Sequence, residues 1–158
     1  TTQPDSVVFL QPLGGRAVYL SDLVAASYRH IPYLTMAWPY MLDHNVAGGP
    51  LRAGDRLYAK GIGMHSASRL TYRLERPYRR FEAELAIDAA TANRGSVTFR
   101  VFGDREQKYA SEVIRGGQKP VPISVDIRGV KQVSLVVDFA ERADEQDHAD
   151  WLNARFVE

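Results

Sequence analysis

The segment Phe81-Glu82-Ala83-Glu84-Leu85-Ala86-Ile87 (FEAELAI) decides the fold class of this chain. Apolar residues occupy every second position, and the carboxylates Glu82 and Glu84 stand between them. A period of two places alternate side chains on opposite faces of an extended strand, whereas an amphipathic helix needs a period of about 3.6. The segment is therefore predicted to be a β-strand with one face on a core and the other on solvent.

The same alternation continues from Ser68 to Val157. Four further segments show it: 70–74, 97–101, 123–127 and 133–139. Turn signals separate the segments: Arg76-Pro77, Asn93-Arg94-Gly95, Gly103-Asp104, Gly116-Gly117 and Arg128-Gly129. The short spacings leave no room for helical crossovers, which favours antiparallel pairing. We predict an all-β fold, a jelly-roll β-sandwich whose two sheets pack about 10 Å apart.

The N-terminal third is less regular. Val7 to Leu10 and Ala17 to Leu20 are predicted strands, whereas residues 23–57 show no regular pattern apart from a possible short helix over 21–28. A long irregular segment inside a compact domain is often a functional loop. This one is rich in aromatic residues, so we expect it to contribute to function.

Composition limits the classes of function. The 158 residues carry a net charge of +1 and no cysteine. They give no electrostatic reason to expect nucleic acid or an anionic membrane as partner, and they exclude disulfides and thiolate chemistry. No apolar run is long enough for membrane insertion. Residues 1–158 are predicted to form a single domain, and because the chain starts at Thr1 without methionine, we expect it to be processed or excised from a larger protein.

The segment Lys60 to Ser68 (KGIGMHSAS) looks like catalytic machinery but fails each test. A dinucleotide fingerprint needs a third glycine where Ser66 stands, and a helix where a strand pattern follows. Ser66 also lacks the G-x-S-x-G context of a hydrolase nucleophile. The four histidines have no zinc-ligand spacing. The sequence therefore predicts no catalytic residues and no transition-metal site.

Carboxylates leave two alternatives open. The segment 144–150 is acidic, and Asp147 and Asp150 are candidate calcium ligands, because calcium prefers several oxygen ligands. The alternative is a solvated turn held by Asx-type hydrogen bonds. A pair of loop carboxylates about 5–9.5 Å apart would instead indicate a glycosidase.

Two sequence blocks, Lys60-Gly61-Ile62-Gly63-x-His65 and Asp147-His148-Ala149-Asp150-Trp151, occur together in this chain. Further matching positions surround them: Asn45-Val46-x-Gly48, Leu57-Tyr58, Tyr72-x-Leu74, Ile87-Asp88 and Gly95-Ser96-Val97-x-Phe99-x-Val101. Over residues 17–157 the chain resembles the NPCBM family, which overlaps the family 51 carbohydrate-binding modules.

The resemblance implies a galactose-binding-domain-like jelly roll without catalytic activity. It implies a module appended to larger secreted proteins such as glycoside hydrolases, with carbohydrate as partner and a location that is secreted, periplasmic or on the cell surface. A structural calcium is implied as cofactor. Within the two blocks, Gly61 and Gly63 are expected to allow positive φ or close backbone approach before a strand. His65 is expected to contact the 147–151 turn, and Trp151 to lie in the core.

A sugar site of this kind combines an aromatic ring for the apolar face of the sugar with polar groups for its hydroxyls. The predicted ligand-binding residues come from the long loop and from the loop after Ile87. They are Trp38, Tyr40, His44, Asn45, Asp88, Asn93 and Arg94. The alternative is a protein-interaction module on the same fold, without sugar binding. An exposed aromatic ring beside polar loop residues favours the sugar, and a broad apolar patch favours a protein partner.

Overall fold

The computed structural model describes residues 7–8, 16–32, 36–141 and 146–158. The strands are, in chain order, β1 (Val7–Val8), β2 (Ala17–Tyr19), β3 (Ser27–His30), β4 (Met41–Leu42), β5 (Leu51–Ala53), β6 (Arg56–Tyr58), β7 (Gly61–His65), β8 (Ser68–Arg73), β9 (Arg80–Ile87), β10 (Ser96–Gly103), β11 (Glu106–Ala110), β12 (Ile114–Arg115), β13 (Val121–Asp126), β14 (Gln132–Phe139) and β15 (His148–Val157). The helices among the described residues are two 3-10 turns, Leu20–Asp22 and Ala89–Thr91. None of them is long and apolar enough to cross a membrane.

Two six-stranded sheets form the sandwich. The first has the order β13-β9-β15-β7-β4, with β2 also pairing with β15, and the second has the order β11-β10-β14-β8-β3, with β12 pairing with β10. Every strand pair within these two sheets is antiparallel. The predicted all-β jelly-roll sandwich is therefore confirmed.

The alternation seen in the sequence explains the core. In β9 the buried side chains Phe81, Ala83 and Leu85 face inward, and the partly exposed Glu82 and Glu84 face outward, as the FEAELAI pattern predicts. The inward residues of both sheets form one hydrophobic cluster. The alternation of apolar and polar residues in the sequence is thus sufficient to locate the central strands.

Trp151 lies in the middle of this core and is fully buried. Its ring packs edge-on against Phe99 of the opposite sheet, with ring centroids 4.9 Å apart, and against Phe81 of its own sheet at 6.0 Å. The prediction that Trp151 is a core residue is confirmed. It joins the two sheets and is not available to a ligand.

A third, three-stranded sheet of order β1-β6-β5 covers part of the outer face of the first sheet. Leu51, Tyr58 and Leu152 form a small second core at this contact. In the described part of the segment 23–57, the regular structure consists of short strands, which have too few residues to show a period. The possible helix over 21–28 was wrong: a 3-10 turn ends at Asp22, and β3 begins at Ser27. Of the predicted strand 7–10, residues 9 and 10 lie outside the described part.

Candidate functional site

One end of the sandwich gathers most of the predicted site residues, and we call it the loop end. Here β3, β7, β9 and β14 finish, and β8, β10 and β15 begin. The described residues 36–40, which lead into β4 at the edge of the first sheet, carry Trp38 and Tyr40. Loops at one end of a rigid sandwich are a usual position for binding residues.

Trp38 and three histidines meet at the loop end. The indole of Trp38 stacks on the His65 ring, with centroids 5.0 Å apart and planes within 4°. His148 lies 5.3 Å from Trp38 and 5.6 Å from His65, and His30 lies 6.1 Å from His65. We call these four residues the Trp-His cluster. Trp38 is half-buried, so the stack leaves part of the indole at the surface.

The strand register explains why distant histidines meet. His65 is the last residue of β7, His148 is the first residue of β15, and the two are directly paired. His30 pairs with Ser68 across β3 and β8, next to the turn that follows His65. The predicted contact of His65 with the 147–151 segment is therefore confirmed, through His148.

The backbone at Trp38 is anchored by Tyr28. The Tyr28 hydroxyl donates to the Trp38 carbonyl oxygen at 2.5 Å and lies 3.1 Å from the Ser68 hydroxyl. Tyr40 is half-buried, lies 4.9 Å from the Tyr28 ring and packs on the main core. Tyr40 therefore supports the loop from within, whereas Trp38 is the aromatic side chain of the pair that lies in the histidine cluster.

The histidines retain hydrogen-bonding capacity. Among the described residues, His30 Nε2 and His148 Nδ1 are enclosed atoms without a hydrogen-bond partner. Burial lowers the pKa of His148, although the charge of Asp88 acts in the opposite direction. A neutral imidazole both donates and accepts a hydrogen bond, which suits the hydroxyl groups of a sugar.

Asn45 and Asp88 hold the neighbouring loop from inside. The Asn45 side chain accepts from the backbone N–H of Ala47 and Gly49 and donates to Asp88 Oδ1 at 3.1 Å. Asp88 also accepts from the N–H of Ala90 and of Arg52. Both side chains are almost fully buried. As direct sugar contacts they stay predictions, and the contacts seen here give them the role of positioning the loop.

Asp150 lies beside Asp88 and is fully buried. Neither of its carboxyl oxygens has a hydrogen-bond partner of good geometry among the described residues. A hydrogen bond between two carboxyl groups needs a proton on one of them, and Asp88 already accepts three N–H groups. Burial, followed by the hydrogen bond to Asp88 and the charge of Asp88, raises the pKa of Asp150 well above its usual range. A raised pKa favours the protonated form of the Asp150 carboxyl group.

The two predicted calcium ligands do not share a site. Asp147 Oδ1 accepts from the backbone N–H of Ser96 in the second sheet, whereas Asp150 lies on the outer face of the first sheet beside Asp88. No group of three or more His, Cys, Asp or Glu side chains within the described ranges is arranged to hold a metal ion. The hydrogen-bonding surroundings of Asp147 and Asp150 thus differ. Calcium binding stays a prediction from the resemblance.

Replacing Asp150 with Asn distinguishes a proton from a cation at this position. The pKa of the Asp150 carboxyl group is raised in the folded protein. Its contribution to stability is therefore fully present below the usual pKa of about 4 and is lost as the pH rises through the folded-state pKa. We expect Asp150→Asn, whose amide can donate to Asp88, to be at least as stable as the parent at pH 7. In the parent, the free energy of unfolding measured in urea should decline as the pH rises, by about 1.4 kcal/mol for each unit by which the pKa of Asp150 is raised. The variant should not show this decline.

The control is Asp55→Asn, which replaces an exposed carboxylate and should leave the pH profile unchanged. Each protein is melted with and without chelator. A lower melting temperature of the parent in chelator, together with a destabilised Asp150→Asn, would show that a cation and not a proton occupies this position.

The glycines of the KGIGMH block allow close backbone approach, as predicted, but they lie within β7 and not before it. A Cβ at Gly63 would stand 2.5 Å from the His44 carbonyl oxygen and 2.7 Å from the Asn45 carbonyl carbon. A Cβ at Gly61 would stand 2.7 Å from the Trp151 carbonyl oxygen. Gly63 is therefore required for the 43–50 loop to lie against the sheet.

We expect Gly63→Ala to displace the 43–50 loop and to lower the free energy of unfolding by about 1–3 kcal/mol, because the new methyl group meets backbone atoms that cannot rotate away. Denaturant unfolding measures this cost. Ala67→Gly, at a nearby residue with φ of 61°, is the control and should not destabilise the protein, because glycine accepts this conformation. A Gly63→Ala protein as stable as the parent would contradict the packing described.

Asn93 and Arg94 lie in a different part of the loop end. They line a cavity of ≈ 280 Å³ together with Ser96, Arg115 and Glu141. Arg115 forms a bidentate ion pair with Glu141 across it. The loop is shaped by Thr91, whose hydroxyl donates to the carbonyl oxygens of Asp88 and Arg94. The cavity contains no aromatic side chain.

The structure therefore divides the predicted ligand-binding residues into separate groups. Trp38 joins the histidines, Asn93 and Arg94 line the cavity, and Tyr40, Asn45 and Asp88 are loop supports. His44 is exposed, with Nδ1 3.0 Å from the Leu42 carbonyl oxygen. Sequence reasoning missed His30 and His148 as site residues, since it tested the histidines only for the spacing of metal ligands.

Two solved structures share this architecture. The CBM51-2 and INT domains of Clostridium perfringens ZmpB, solved in complex with GlcNAc, match with a TM-score of 0.81 and 33% identity, over 90% of this chain and 31% of that one. The CBM51 of Clostridium perfringens GH95, solved in complex with methyl-galactose, matches with a TM-score of 0.78 and 25% identity, over 90% of this chain and 100% of that one. The fold and the loop end together show that this chain is a jelly-roll module built like the family 51 carbohydrate-binding modules.

The family follows from the sequence comparisons. The family model described as "NPCBM/NEW2 domain" matches residues 16–157, and the chain belongs to this family. A relative in Renibacterium salmoninarum, named "Putative endo-alpha-N-acetylgalactosaminidase", is 34% identical over 110 residues, which is 70% of this chain. The chain spans only 7% of the length of that relative.

Proposed function

We propose that this chain is a non-catalytic carbohydrate-binding module whose sugar site is the Trp-His cluster. The observation that carries the proposal is the half-buried indole of Trp38, held by its stack on His65 at the loop end. An aromatic ring that is partly exposed yet fixed in position offers a flat apolar surface at low entropic cost. Sugars bind such a surface through their C–H face.

The ligand class follows from the surroundings of the indole. His30 Nε2 and His148 Nδ1 have no hydrogen-bond partner among the described residues but are enclosed, so a sugar hydroxyl binds them only when the cluster opens. The similar modules solved with GlcNAc and with methyl-galactose support a neutral hexose or N-acetylhexosamine as ligand. A single shallow site of this kind binds with a Kd of roughly millimolar to micromolar.

The absence of catalysis is part of the proposal and is supported by burial. Glycoside hydrolysis needs two carboxyl groups that reach the glycosidic bond. At the loop end Asp88, Asp147 and Asp150 are almost fully buried, and the exposed Glu141 is held in an ion pair by Arg115. Asp88 and Asp147 accept hydrogen bonds from backbone N–H groups, Asp150 is enclosed beside Asp88, and none of these three has access to a substrate.

We further propose that the module belongs to a larger, extracellular or cell-surface protein that acts on glycans. The support is the small fraction of the curated relative that the chain spans and the enzyme name of that relative. Weak single-site binding then serves to concentrate the attached protein on its glycan, because linkage raises the effective concentration.

A protein partner is the second candidate. Ile31 and Met36, in the segment that carries Trp38, have exposed fractions of 68% and 64%. Exposed apolar side chains next to a site are also typical of protein interfaces.

Isothermal titration of the module with methyl-galactoside, GlcNAc, GalNAc and glucose tests the proposal, with a glycan array for breadth. Saturable binding of at least one galacto- or N-acetyl-configured sugar is expected, and methyl-mannoside is the control. An empty array together with flat titrations would overturn the sugar assignment and leave the protein partner.

A further inference from the structure

The outer face of the second sheet carries an unusual set of arginines. On β3, β8, β14 and β10 the residues that alternate with the core point away from it. These outward positions hold four arginines, Arg29, Arg69, Arg73 and Arg100, and one carboxylate, Asp138. The whole chain has a net charge of only +1. Positive charge is therefore concentrated on this face, which we call the arginine face.

Like charges stand directly opposite each other on the arginine face. Arg29 pairs with Arg69 in the antiparallel register of β3 and β8. Directly opposed side chains have Cβ atoms about 4.5–5.5 Å apart, and like charges at this position are destabilising. Within the described part of the chain, Arg29, Arg69 and Arg73 have no ion-pair partner, whereas Arg100 is held by Asp138. No ion pair among the described residues offsets the repulsion between Arg29 and Arg69.

The arginine side chains lie along the sheet. The guanidinium of Arg69 is 4.8 Å from the centroid of the Phe102 ring, and that of Arg100 is 5.3 Å from it. Val136 stands between Arg69 and Arg100 in the register and is buried although it is on the outward face. Long side chains that cover their neighbours in this way keep their charged ends at the surface.

The spacing of the charges suits an extended ligand. Arg69 and Arg100 are two strands apart, about 10 Å, and Arg69 and Arg73 are four residues apart along one strand, about 13 Å. Guanidinium groups bind carboxylates and sulfates with two parallel hydrogen bonds. A flat face with cations at such intervals matches a chain that repeats its acidic groups better than it matches a single anion.

We propose that the arginine face is a second binding surface, which takes an acidic polysaccharide bearing uronate or sulfate groups. The site is separate from the Trp-His cluster and needs no contribution from it. The occupant is assigned by charge complementarity and by the repeat of the cations across the sheet. A module with both surfaces would bind a neutral terminal sugar at the loop end and an acidic segment of a glycan on the arginine face.

The test compares two triple variants of equal charge. R29Q/R69Q/R73Q removes the unpaired arginines of the face, and R16Q/R56Q/R79Q removes three exposed arginines elsewhere. Kd is measured by titration with dextran sulfate, polygalacturonate, neutral dextran and duplex DNA at fixed ionic strength. Dextran sulfate carries only sulfate and polygalacturonate only carboxylate, so the two polymers distinguish the acidic groups.

We expect the parent to bind at least one acidic polysaccharide and not neutral dextran. The face variant should lose affinity at least about tenfold, and the control variant should change little. The melting temperature of the face variant should change little, because removal of the opposed like charges offsets the lost packing of Arg69 on Phe102. Trp38→Ala should keep the acidic polysaccharide and lose the neutral sugar, which separates failure of this inference from failure of the proposed function.

Three results would overturn the inference. They are the absence of binding to both acidic polymers, equal loss of affinity in the two triple variants, and equal affinity for DNA and polysaccharide. The last would show a general polyanion surface.

Discussion

Replacing Trp38 with Ala is expected to weaken the binding of a neutral sugar strongly, by roughly thirtyfold or more, while the protein stays folded. The indole is the aromatic surface that the sugar would cover, and truncation of a central aromatic side chain costs about 2 kcal/mol or more, roughly a thirtyfold loss of affinity. From a starting Kd in the millimolar to micromolar range, such a loss is readily measured by isothermal titration.

Tyr109→Ala is the matched control. Tyr109 is another half-buried aromatic side chain on the same sandwich, but it lies on β11, at the far edge of the second sheet from β3. It should lower stability by a similar amount and leave sugar affinity unchanged. Loss of affinity in both variants, or in neither, would contradict the assignment of the site to Trp38.

Replacing the other tryptophan, Trp151, with Ala should have the opposite consequence. The ring is fully buried and links the sheets through Phe99 and Phe81, so we expect the free energy of unfolding to fall by about 3–5 kcal/mol. For a domain of this size the melting temperature should fall by about 6–20 °C. Calorimetry and urea unfolding measure the change.

Trp151→Phe serves as the control, because it keeps an aromatic ring in the core. The indole N–H of Trp151 has no hydrogen-bond partner among the described residues, so this substitution sacrifices no hydrogen bond. Its cost should be well below that of Ala. A folded, stable Trp151→Ala protein that had lost its sugar would mean that Trp151, not Trp38, serves the ligand.

The central strands could be predicted from the sequence because one side of each faces the core. Burial selects apolar residues at alternate positions, and the FEAELAI segment shows this selection directly. Strands β3 to β6 have two to four residues each, too few for a period to emerge. Their pairing depends on the sheet to which they attach, and that information is not local.

The site was predicted in part, for a related reason. Trp38 was identifiable as an aromatic residue in a long loop, but its neighbours His65 and His148 are 83 residues apart in sequence, and only the register of β7 and β15 joins them. The side chains of Asn45 and Asp88 could bind sugar hydroxyl groups, but they already form hydrogen bonds within the loops. The arginine face could not be predicted from the composition, because a net charge does not show where the charged residues lie.

The most direct test of the central claim uses the fact that the chain has two tryptophans. A ¹⁵N-labelled sample should show two indole N–H signals, which Trp38→Phe assigns. On titration with the sugar that binds best, the Trp38 signal is expected to shift progressively to saturation, and the Trp151 signal to stay in place. A saturating shift of Trp151 alone, or sugar binding with no change at Trp38, would contradict the account.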